Sequence, residues 1–98
     1  MITEGEKVKL MYKAKIRVTL KKSVLDPQGK TVLQALQSLG FDQAKDLRVG
    51  KFFELAVAAP DKKEAEERAR AMCDKLLVNP VMEEYSVEIR DEREETRE

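Results

Sequence analysis

From Tyr12 to Lys21 the chain alternates without interruption: Tyr12, Ala14, Ile16, Val18 and Leu20 share one parity, and Lys13, Lys15, Arg17, Thr19 and Lys21 the other. Successive side chains of a strand point to opposite faces, so this is the pattern of a strand with one buried and one wet face. A fold built on it must supply further strands to pair with it and an apolar layer to cover its inner face.

The segment Ser23-Val24-Leu25-Asp26-Pro27-Gln28-Gly29 follows. It reads as a turn shaped by backbone geometry, with Pro27 holding φ at about −65° and Gly29 free to take the positive φ that other residues resist. Beyond it, Val32, Leu33, Leu36 and Leu39 fall on one helical stripe, and Gly40 stands where a left-handed cap would end the helix, so a helix is expected over 30–39. Leu47, Val49, Phe53, Leu55 and Val57 then share a parity that Lys51 interrupts. Gly50 either bends one strand there or, in a competing reading, turns a hairpin at Gly50-Lys51 that would make four strands of three.

Asp61 is placed to cap a second helix, with Glu64 positioned to reach back to the cap in the acidic form of a capping box. Ala65, Ala69, Met72 and Leu76 form its apolar stripe up to about Leu77, and Asn79-Pro80 stops it. Tyr85, Val87 and Ile89 alternate with Glu84, Ser86, Glu88 and Arg90 as the last strand. The expected architecture is α+β in the order strand, helix, strand, helix, strand, with two helices on one face of a three-stranded sheet. Residues 1–10 read as a polar extension, 11–90 as a single domain and 91–98 as a charged tail.

Nineteen Lys and Arg balance nineteen Asp and Glu, so no net field draws the chain to nucleic acid or to an anionic membrane. The balance is uneven along the chain, however. Seven bases and no acid lie between Lys7 and Lys22, whereas thirteen acids face eight bases from Asp61 onward. If the first and last strands are neighbours, the two signs neutralise each other on the open face of the sheet. Phe52 and Ala56 would lie on that same face, which points to its closure, or that of a sheet edge, by a second copy. A nucleic-acid module is the rival class for the basic strand, and few aromatic residues remain for base stacking. No apolar run approaches the roughly 20 residues needed to span a bilayer, and the chain reads as cytosolic.

There is no His and a single Cys, so histidine-activated nucleophiles, histidine metal sites and internal disulfides are excluded. Cys73 falls in the second helical pattern and reads as a packing residue. Glu66-Glu67 and Glu83-Glu84 are adjacent carboxylates that diverge on a helix or strand, and they read as solvated faces. The chain carries no catalytic constellation of its own.

Four blocks taken together carry a resemblance: Met11-Tyr12-Lys13-Ala14-Lys15-Ile16; Ser23 to Gly29; Arg48-Val49-Gly50-Lys51 with Glu54-Leu55; and Met72 through Asn79-Pro80 to Tyr85. In order and spacing they resemble the PurS family, the small subunit of bacterial and archaeal phosphoribosylformylglycinamidine synthase. The ten residues before Met11 and the charged tail depart from the family pattern. The resemblance implies an accessory subunit of an ATP-dependent, glutamine-hydrolysing ligase of purine biosynthesis, without an active site or cofactor of its own, ATP and Mg being held by the large subunit. It implies a dimer or tetramer extended through its sheet, bridging a synthetase and a glutaminase so that ammonia passes between them. It places partner contacts at Asp26, Pro27, Gln28 and Gly29, at Arg48, Gly50 and Lys51, and at Asn79 and Pro80. The alternative is a stand-alone oligomeric module that binds or senses a small molecule.

Overall fold

The structure, a computed structural model, describes residues 10–91 of the 98; the expected N-terminal extension up to residue 9 and the tail beyond Asp91 lie outside the described residues. Three strands, β1 (Leu10–Leu20), β2 (Gly50–Ala59) and β3 (Glu83–Asp91), alternate with two helices, α1 (Pro27–Ser38) and α2 (Lys62–Met72), and α2 continues into a single π-helical stretch at Cys73–Leu77. The sheet is antiparallel in the order β2-β1-β3, with the alternating strand at its centre.

Strand β1 holds its place because only its apolar parity can be buried on a one-sided sheet, and a slip of one residue would put three charges, Lys13, Lys15 and Arg17, into the core. Tyr12, Ala14, Ile16 and Val18 are buried, joined by Val57 and Ala59 of β2 and Ile89 of β3. Ala65, Ala69, Cys73 and Val78 close over them. On the open face the expected cancellation of charge is present. Lys15 lies between Glu54 and Glu88 in register. Arg17 is 3.7 Å from Glu88 and its guanidinium stands over the Phe52 ring at 5.2 Å.

Among the described residues only α2 with its π-helical extension covers the sheet, against the expectation of two helices on one face. No strand or other helix packs on α1 among the described residues. The topology supplies the reason. Strands β1 and β2 are antiparallel neighbours, so their connection returns at one end and α1 is an insertion in it, whereas β2 and β3 flank β1 and α2 must cross over the sheet to join them.

Three further expectations are corrected in detail. Gly50 is the first residue of β2, neither a bend within a longer strand nor a hairpin turn, and the sheet has three strands. In the second helix Asp61 Oδ1 accepts from the Glu64 N–H at 2.8 Å, but the Glu64 carboxylate pairs forward with Arg68 and does not close the box. The apolar stripe also rotates at the π-helical stretch, where the Val78 N–H donates to the Cys73 carbonyl. Cys73 takes the core position, while Met72 and Leu76, expected inside, are 40% and 83% exposed. The extra residue per turn of a π-helix shifts which side chains face inward.

Candidate partner-binding site

Asp26 is the N-cap of α1 and Pro27 its N1 residue, so the expected turn is the first turn of the helix itself. Asp26 is buried at 6% exposure and its two carboxylate oxygens are divided between two segments. Oδ1 accepts from the Gly29 N–H at 2.9 Å, and Oδ2 accepts from the Val49 N–H at 2.8 Å. One side chain thus caps α1 and clamps it to the entry of β2. The Val49 and Gly29 hydrogen bonds, helped by the Arg48 charge, hold its carboxyl below the ordinary value of 3.8 against the opposing effect of burial.

Gly29 does not take a positive φ, which among the described glycines only Gly40 does, at 100°. Its requirement is space: a Cβ there would stand 2.5 Å from the Leu47 carbonyl oxygen and 2.7 Å from Asp26 Oδ2. Gly50 is constrained in the same way, its added Cβ falling 2.4 Å from the Val18 carbonyl oxygen of the neighbouring strand.

Arg48 belongs to the loop that this clamp closes. Its guanidinium donates to the carbonyls of Lys21 at 2.9 Å, Val24 at 3.2 Å and Leu20 at 3.4 Å, tying the end of β1 to the approach to β2. These carbonyls belong to the last residue of β1 and to the turn beyond it, and a fixed planar cation is suited to gather them.

Lys51 stands at an apolar parity position of β2, opposite Val18. Glu83, at the start of β3, supplies the counter-charge, with Lys51 Nζ 3.3 Å from Glu83 Oε2. The other oxygen, Oε1, accepts from the Asn79 N–H at 2.8 Å. That hydrogen bond and then Lys51 keep the Glu83 carboxyl below its ordinary value. Glu83 thus joins the second expected segment to the third. Asn79 Oδ1 in turn accepts from the Val81 N–H at 3.0 Å, shaping the bend at Pro80.

The three segments singled out in the sequence therefore converge on one end of the sheet. Asp26, Gln28, Gly50, Lys51 and Glu83 share the lining of a hollow of about 430 Å³ there. Pro80, also beside Glu83, lines the adjoining one. Gln28 and Lys51 are exposed, and Asp26 and Gly29 are buried. Sequence reasoning missed Glu83, assigned to a solvated acidic pair. The available signal was Lys51 itself, since a lysine at a core parity position calls for a carboxylate nearby.

No group of three or more His, Cys, Asp or Glu able to hold a metal ion occurs among the described residues. No helix among them is long and apolar enough to cross a membrane. Burial raises the Cys73 thiol above its ordinary value of 9.0, which disfavours the thiolate.

The PurS family profile, described as phosphoribosylformylglycinamidine (FGAM) synthase, matches residues 13–91. The PurS subunit of phosphoribosylformylglycinamidine synthase from Synechocystis is 47% identical over 80% of this chain and 78% of its own length. The Bacillus subtilis PurS subunit is 43% identical over 83% of this chain and 95% of its own. Among solved structures, Methanocaldococcus jannaschii PurS, a subunit of formylglycinamide ribonucleotide amidotransferase, superposes with a TM-score of 0.75 at 35% identity, covering 82% of this chain and 96% of that one. A chain of the Thermotoga maritima PurLQS complex superposes with a TM-score of 0.74 at 40% identity, covering 83% and 96%. Profile, relatives and superpositions each cover about four fifths of the chain, and the chain belongs to the PurS family.

Proposed function

We propose that this protein is the small accessory subunit of a phosphoribosylformylglycinamidine synthase, and that it bridges a synthetase and a glutaminase subunit so that ammonia from glutamine reaches the synthetase. The observation that carries the reading is a PurS domain, matched over 13–91, whose polar residues at the sheet end are spent on one another in shaping a surface. Its contribution is positioning: it raises the effective concentration of one subunit's product at another's acceptor without making a bond itself. ATP and Mg belong to the large subunit in this scheme, and the chain works in the cytoplasm as a dimer or tetramer.

Partner contact is assigned to Gln28, Lys51, Asn79 and Pro80 among the exposed residues of the converged end. Pro27, Arg48 and Gly50, exposed beside them, hold its shape, and the buried Asp26 and Gly29 support it from beneath. In a reconstituted system, glutamine-dependent turnover should need this chain, while turnover with free ammonia should persist without it. Full glutamine-dependent activity in its absence would reject the bridging role.

A further inference from the structure

The acids in the hollow at the converged end are engaged, while donors there stay open. Asp26 holds the Gly29 N–H on one oxygen and the Val49 N–H on the other. Glu83 likewise holds the Asn79 N–H on one oxygen and the Lys51 ammonium on the other. Lys51 has Glu83 at 3.3 Å and the centroid of the Phe53 ring at 6.0 Å, yet its side chain is 53% exposed. An ammonium carries three donors, so further ones remain for an incoming group. The exposed Gln28 amide has no hydrogen-bond partner among the described residues. Val18 and Leu20 give the hollow an apolar lining, and Gly50 adds no side chain to its space of about 430 Å³. Opposite charges beside apolar surface are screened less than in open water. The three segments that meet at this end, 20–30, 45–51 and 79–84, carry six bases against four acids on a chain of zero net charge.

We infer that the hollow receives a carboxylate side chain, Asp or Glu, of a partner subunit, which pairs with the Lys51 ammonium while the Gln28 amide donates to its second oxygen. An incoming cation would meet Lys51 and find both acids already engaged. An apolar side chain would cover the remaining donors of Lys51 without satisfying them.

This inference rests on the subunit reading above and names the chemistry that the partner brings. Its test is a zero-length cross-link in the assembly reconstituted from this chain and the two larger subunits. A water-soluble carbodiimide converts a carboxylate to an O-acylisourea, and a lysine amine in contact attacks it, forming the amide C–N bond as the urea leaves. Mass spectrometry of the digest is expected to show Lys51 joined to an Asp or Glu of a larger subunit. This product is read on the unaltered chain and needs no variant to fold. Lys51→Met, checked for folding by circular dichroism, should lack the product and bind the larger subunits about tenfold more weakly. Lys63→Met, which alters an exposed lysine of α2, should bind as the unaltered chain does. Lys51 joined only to carboxylates of this chain, or Lys51→Met bound as tightly as the unaltered chain, would overturn the inference and leave the subunit reading standing. An unaltered chain that captures neither larger subunit would overturn both.

Discussion

Asp26 shows how much of this surface rests on single side chains. It satisfies two backbone N–H groups in different segments, and both bonds lower its carboxyl from the ordinary value of 3.8. A carboxyl lowered in the folded state contributes stability that is complete above the unfolded value and lost as pH falls through the folded one, because the unfolded chain binds more protons in between. Asp26→Asn should therefore lower the urea midpoint at pH 7 and flatten its decline below about pH 4; equal acid limbs for the two proteins would contradict the clamp. Gly29→Ala pushes a Cβ to 2.5 Å from a backbone oxygen that no side-chain rotation can relieve. It should cost about 1–3 kcal/mol in chemical denaturation. Arg48 and Lys51, adjacent in motif, separate in role. Arg48→Glu breaks hydrogen bonds to three carbonyls and should destabilise by about 1–3 kcal/mol. Lys51→Glu removes a half-exposed ion pair worth about 0–1 kcal/mol, so the protein should stay folded and lose co-elution with the synthetase subunit.

Among the elements, α2 and its π-helical extension set both the core and the apolar surface beside it. The switch at Cys73 turns that thiol inward and Leu76 outward. Native Cys73 should accordingly react with a thiol reagent at pH 8 only at the rate of unfolding, in contrast to immediate labelling in urea. Asp61→Ala removes the N-cap acceptor of α2 and should cost about 1 kcal/mol. Because α2 alone covers the sheet, that loss should appear in global denaturation and not as fraying confined to one helix.

For the whole molecule, the division of surfaces matters most. The open face of the sheet is laced with charges that answer one another, with Arg17 and Arg90 both against Glu88. Apolar surface is instead concentrated on α1 and beside α2. The Gln28 and Lys51 end adds exposed charge to that division, so raising salt should weaken capture of the synthetase there.

The sequence by itself determined the strands, the presence of both helices and the family, because each is written in local periods and spacings: the alternation of β1, the cap at Asp61, the stop at Asn79-Pro80, and the ordered PurS blocks. It also marked all three segments of the candidate site. Only the tertiary structure decided that these segments meet through Asp26 and Glu83, that Gly29 and Gly50 are required for room and not for φ, that Cys73 replaces Met72 in the core, and that α1 stands off the sheet. Such properties depend on contacts between residues far apart in the chain, and a period of two or of 3.6 carries no information about which element lies across from which.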